Sequence, residues 1–119
     1  MVVLGTAFYR HEHVYFVISD PGANAGQVLC VNLTTMDTEC VDDECQLDEN
    51  DYAWIHAGHP TVVAFSRAAV WPSATIDQCL QNGQLHAPNP PIVPAAAVAK
   101  VVAAAQNSVQ LSAAAKAML

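Results

Sequence analysis

The sequence predicts a mainly β, α+β chain: a small barrel of five or six mostly antiparallel strands, a short helix after the last strands, and an alanine-rich C-terminal helix. Three observations predict it. Short runs rich in β-branched and aromatic residues crowd the positions before Pro72. Turn residues separate these runs at close spacing, as in small all-β barrels. Beyond Pro72 the composition shifts to alanine with valines at helical spacing. The expected organisation is a barrel over 1–83, a proline-rich connector over 84–94 and a helical segment over 95–119, packed on the barrel or on a second copy.

Val2 to Phe8 is a first strand candidate, broken by Gly5. Val14 to Ser19 (VYFVIS) is the second, and Asp20-Pro21-Gly22 stops it with turn chemistry. Gln27 to Thr35 (QVLCVNLTT) is the third. These last two are apolar on both faces at their centres, which places them inside a sheet. The acidic segment holds at most a short strand around Cys45 to Leu47. Thr61 to Phe65 (TVVAF) is a strong strand, and Ala68 to Trp71 is a further one that Pro72 ends. Ser73 is placed to cap a short helix, ATIDQCLQ, which Asn82-Gly83 terminates. HAPNPPIVP reads as an extended connector. Pro94 then opens a helix, AAAVAKVVAAAQN, with Val98, Val101, Val102 and Ala105 as its apolar stripe. Ser112 is placed to cap a last turn, AAAKAML.

Length and charge exclude several classes of function. The 119 residues suit one domain, and 53% are hydrophobic, enough for a core without staples. The longest apolar stretches are strand-sized, short of the ~20 residues a membrane span needs. The N-terminus lacks a basic stretch followed by a long apolar core, so no leader and a cytoplasmic location are expected. Cys30, Cys40, Cys45 and Cys79 are too few and too uneven for a disulfide framework and read as free thiols, Cys30 as a buried one. The net charge is −7, and only Arg10, Arg67, Lys100 and Lys116 are basic. Broad phosphate-backbone binding needs clustered lysine and arginine. The acids crowd one segment: Asp37, Glu39, Asp42, Asp43, Glu44, Asp48, Glu49 and Asp51. They read as a solvated loop region, or as a patch for a basic partner or a cation, though their spacing does not match a calcium loop.

Zinc-capable residues are present in His11, His13, His56, His59, Cys40 and Cys45, but no C-x-x-C occurs and Cys40 to Cys45 is wider than the usual spacing. No metal and no cofactor is expected. A strand would put His11 and His13 on one side. There is no G-x-S-x-G elbow, and PGANAG lacks the Lys-Ser/Thr of a P-loop. Metal-free RNA cleavage needs a base for the 2′-hydroxyl, an acid for the leaving oxygen, and a cation or donor for the phosphorane charge. His13 precedes one strand, Thr34-Thr35 ends the next, and Ser66-Arg67 ends a third, so neighbouring strands could bring them to one face. Tyr52 and Trp54, in DYAWI, are candidates for a pocket rim.

In HVYFVISDP, VNLTT and HPTVVAFSRA followed by ATID, the chain resembles the PemK/MazF growth-inhibitor toxins, SH3-like barrels of toxin–antitoxin systems. The resemblance covers roughly residues 4 to 78. It is nearest to short relatives with an NLTT motif, an acidic-aromatic stretch (here Asp51 to Ile55) and a following histidine, here His59. It implies a sequence-selective, metal-independent endoribonuclease that cleaves single-stranded RNA, acts as a homodimer and is silenced by an antitoxin protein. On that expectation His13, Ser66 and Arg67 are catalytic, and Arg10, Thr34, Thr35 and His59 bind substrate. His13 or His59 is the base or acid, Arg10 or Arg67 meets the phosphorane charge, and Thr34, Thr35 and Ser66 orient the phosphate. Thr34 and Thr35 match the family's threonines. His13 stands in the place of its strand-leading arginine, and Ser66 and Arg67 where an acid and glutamine are usual. The alternative is a barrel without catalysis, a binding module or diverged toxin homologue, whose acidic segment and alanine-rich tail contact protein partners. Arrangement discriminates the two: one shared groove favours cleavage, and scattered residues favour the module.

Overall fold

Gly5 sets where the first strand begins. Its φ is +89°, and a Cβ there would stand 2.6 Å from the Val93 carbonyl oxygen. Only glycine adopts that conformation without cost. The strand therefore starts after it, and β1 is Ala7–Arg10 in place of the candidate Val2 to Phe8 that Gly5 breaks. The structure is a computed structural model that describes residues 1–35 and 42–119.

β2 is His13–Val17, β3 Gln27–Thr35, β4 Gln46–Leu47 and β5 Thr61–Pro72. All pair antiparallel in the order β1-β2-β3-β5-β4, a curled half-barrel sheet. The fold is mixed α+β, with helices α1 (Ser73–Asn82), α2 (Ala95–Gln106) and α3 (Ala113–Lys116). No helix among the described residues is long and apolar enough to cross a membrane.

Two strands expected over Thr61 to Trp71 are one. β5 is continuous because β3 pairs with both of its halves: Asn32 opposes Ala64, and Cys30 opposes Ala69. Phe65, Ser66, Arg67 and Ala68 thus stand against the single Val31, an irregularity of register that β5 passes through without ending. Pro72 is its last residue, opposite Gln27. Ser73 is not a cap: Pro72 occupies that position and no side chain caps α1. Gly83 ends α1 in the left-handed conformation, as its sequence predicts. Ser112 does cap α3, its Oγ accepting from the Ala115 N–H at 3.1 Å.

Strand alternation gives the sheet two apolar faces. Val14, Phe16, Leu29, Val31, Leu33, Val63 and Phe65 pack with Val98, Val101 and Ala105 of α2 and with Leu111 and Ala115 beyond it. Phe8, Val17, Val28 and Cys30 pack with Ile76 of α1 and the partly buried Trp71 and Leu85. Each such side chain fully buried contributes about 1.5–3 kcal/mol, so both helical layers belong to the core. The connector is stitched to β1. Tyr9 N–H donates to the His86 carbonyl (2.8 Å), Ala7 N–H to Pro91 (2.9 Å) and Val93 N–H to Gly5 (2.8 Å). The exposed edge of β1 is thereby covered, which removes an aggregation-prone edge.

Candidate functional site

The ends of β2, β3 and β5 meet in a cavity of about 290 Å³ lined by Glu12, His13, Leu33, Thr34, Thr35, Trp54 and Thr61. Register brings these together. Thr35 opposes Thr61 and Thr34 opposes Val62, while His13 leads β2 on the other side of β3. Trp54 is fixed from behind. Its Nε1–H donates to the Tyr9 hydroxyl at 2.7 Å, and its ring stacks on Tyr52 with centroids 6.2 Å apart. Tyr52 itself is fully buried, so it is not at the rim, and its hydroxyl donates to the Pro90 carbonyl. His59 is exposed on the approach to β5, and its carbonyl accepts from Thr61 Oγ1 at 3.2 Å.

The other candidates lie elsewhere. Arg10 opposes His13 in the β1–β2 register, yet its guanidinium sits 4.8 Å over the Trp71 ring and lines a separate cavity with Phe8, Ile76 and Leu85. Ser66 and Arg67 are on the irregular stretch of β5. Ser66 lies five residue steps along the strand from Thr61, roughly 16 Å at the usual rise. The Ser66 N–H and hydroxyl both donate to Asp42, at 2.9 and 2.5 Å. Thus His13, Thr34 and Thr35 share one cleft; Arg10, Ser66 and Arg67 do not join it. Ser66 and Arg67 lie along β5 opposite the middle of β3, away from its Thr35 end, and Arg10 is held over Trp71.

Among the described residues, no lysine or arginine lines the cleft. Lys100 pairs with Asp51 at 3.2 Å, and Lys116 lies in α3. Residues 36–41, which follow Thr35, read MDTECV, with two acids and no base. Among the described residues, the cleft presents one carboxylate, one imidazole, three threonine hydroxyls and an indole. Sequence reasoning missed Glu12 and Thr61. Their signal, Glu12 beside His13 and Thr61 opening TVVAF, has meaning only once the pairing is known.

The acidic segment is not simply solvated. Asp42 is buried under the irregular stretch of β5. Glu44 accepts from the Ser108 hydroxyl and the Val109 N–H, tying the loop after α2. These bonds, the Ser108 hydroxyl foremost, hold the Glu44 carboxyl below its ordinary range. Asp48 organises its own turn, its Oδ1 accepting from the Asn50 and Asp51 N–H groups. Asp37, Glu39 and Cys40 lie outside the described residues.

His11 and His13 do not share a face, because His11 occupies the β1–β2 turn with φ +57°. His56 and His59 stand with ring centroids 6.0 Å apart. Among the described residues no three His, Cys, Asp or Glu side chains converge. Burial pushes the Cys30 thiol up to about 12, so it is an inert core group.

No family model, no curated protein and no solved structure matches the chain.

Proposed function

We propose that the chain is a toxin-like, SH3-type barrel that acts by binding a protein partner rather than by cleaving RNA. The cleft at the ends of β2 and β3 is its recognition site. One observation carries this reading: all four basic side chains lie outside the cleft, where a phosphorane would need one. Glu12 would repel a phosphate at the same place. The cleft suits a lysine or arginine side chain of a basic protein segment, with the Glu12 carboxylate as ion partner and the Trp54 ring as a face for the cation. The acidic net charge would steer such a segment in. A cytoplasmic location belongs to the same proposal.

Titration with a lysine- and arginine-rich peptide, followed by tryptophan fluorescence, tests it. Saturable binding that weakens with salt is expected, and Glu12→Gln should cost roughly tenfold in affinity, about 1.4 kcal/mol. No binding would sink the reading.

A second reading is the metal-independent endoribonuclease of a toxin–antitoxin pair, with single-stranded RNA as substrate. The convergence of His13, Thr34 and Thr35 favours it. Growth arrest on expression, together with RNA cleavage lost in His13→Ala, would establish it and overturn the first.

A further inference from the structure

A second cavity, of about 200 Å³, lies between the sheet and α1. Phe8, Arg10 and Trp71 wall it from the sheet, and Ile76, Cys79 and Leu85 wall it from α1 and the turn beyond. The sheet wall is held by its own rings. Phe8 stacks on Tyr15 with centroids 6.0 Å apart, and both pack edge to face with Trp71, at 5.8 and 5.4 Å. The opposite wall is held by hydrogen bonds. Leu85 N–H donates to the Cys79 carbonyl at 2.9 Å, and the Gln84 side-chain oxygen accepts from Asn82 Nδ2 and from the Cys79 thiol, both at 3.3 Å. Phe8 and Ile76 are buried and give the cavity an apolar floor. A hollow that is apolar, already formed and edged by a few polar groups has the character of a small-molecule site.

Arg10 supplies the charge. Its guanidinium carbon lies 4.8 Å from the Trp71 ring centroid. Among the described residues it has no carboxylate and no hydrogen-bond partner. Its planar fork of N–H donors is therefore uncommitted, while the indole holds it at the cavity. Glu12, the acid nearest to it in sequence, lines the other cleft. Gln84 also lines the cavity, and with its oxygen taken by Asn82 and Cys79 its amide nitrogen is left to donate.

An unpaired arginine beside an apolar hollow is complementary to an apolar body that carries one carboxylate, which the guanidinium takes through two parallel bonds. At about 200 Å³ the cavity is smaller than the roughly 300–1,000 Å³ of drug-sized sites. A single cation matches one negative charge better than the two of a phosphate monoester. We propose that this cavity binds a small apolar carboxylic acid of the aryl-alkanoate class, its body against Phe8, Trp71 and Ile76 and its carboxylate on Arg10. The site does not depend on what the cleft at the ends of β2 and β3 binds.

Calorimetry with phenylpropionate, its neutral counterpart phenylpropanol, and propionate tests it. Saturable binding of phenylpropionate is expected. The alcohol lacks the charge and propionate lacks the ring, so each should bind at least roughly tenfold more weakly. Arg10→Gln should weaken phenylpropionate by about tenfold and leave phenylpropanol unchanged. Arg10 is exposed, so its replacement leaves the core intact. Thr75→Phe, which fills the cavity from the exposed side of α1, should abolish binding of both. Alkylation locates the site. Cys30 and Cys45 are buried, so in a Cys40→Ser background iodoacetamide should report on Cys79, and saturating phenylpropionate should slow the reaction several-fold. Absence of saturable binding at millimolar acid, equal affinity for acid and alcohol, or an unchanged affinity in Arg10→Gln overturns the proposal. Cys79 alkylation that saturating acid leaves unchanged overturns it as well.

Discussion

The Asp42 carboxylate holds Ser66 by both its backbone N–H and its hydroxyl, across 24 residues of sequence. The contact holds the irregular stretch of β5 and takes up the hydroxyl that the toxin-like expectation assigns to the substrate. Asp42 is only 4% exposed, so its partners cannot be replaced freely by water.

Asp42→Ala should therefore lower stability by about 2–3 kcal/mol, the range for hydrogen bonds to a charged group. Ser66→Ala, which removes only the hydroxyl, should cost about 1–1.5 kcal/mol. Urea unfolding of both variants and of the pair measures this. The double variant should fall short of the sum, because the two side chains share one interaction. Strict additivity would show that Asp42 acts on some other group.

Gly5 joins β1 to the start of α2, its carbonyl accepting from Val93 N–H at 2.8 Å. Gly5→Ala should cost about 2–3 kcal/mol, combining positive-φ strain with the clash on the Val93 carbonyl. Gly58→Ala is the control. Its φ is +81° with nothing within 4 Å, so it carries the strain without the clash, about 1 kcal/mol. Thermal unfolding of the two should separate them, and equal losses would show that the Val93 contact yields.

Stability should fall at both ends of the pH scale. The Ser108 hydroxyl, helped by the backbone beyond it and by Lys116, depresses the Glu44 carboxyl in the folded chain. Its contribution is present above the ordinary glutamate value of about 4.3 and is lost as pH falls through the folded value. Glu44→Gln should thus be less stable than wild type at neutral pH, with the two curves converging in acid. At the other end, burial pushes the Tyr52 phenol up to about 12. A folded value above the unfolded one, about 10, means that stability is lost as pH rises from there through the folded value. Alkaline difference spectra should show a tyrosine step near the raised Tyr52 value. Tyr52→Phe should remove that step and the alkaline loss tied to it.

Local sequence was a good guide where one element's own chemistry decides the outcome. QVLCVNLTT is β3 residue for residue, because both its faces are buried and polar residues bound it. Gly83 and Ser112 end and begin their helices as their conformational and capping preferences require. Local preference failed for the strand expected over Val2 to Phe8 and for the cap expected at Ser73, where a tertiary contact or a neighbouring proline outweighed propensity.

The candidate site divides in the same way. By itself the sequence determined an acidic, strand-rich chain with few bases, and it marked His13, Thr34 and Thr35 as strand-end polar residues that a shared sheet could gather. Only the tertiary structure decided which of the candidates meet. The register puts Ser66 and Arg67 opposite Val31, along β5 from the cleft, and Trp71 draws Arg10 to another cavity. It also turned three acids of an apparently solvated run into ties: Asp42 to Ser66, Glu44 to Ser108 and Asp51 to Lys100. The reason is physical. Strand period and capping act within a few residues, whereas pairing register and long-range hydrogen bonds depend on segments that come together only in the folded chain.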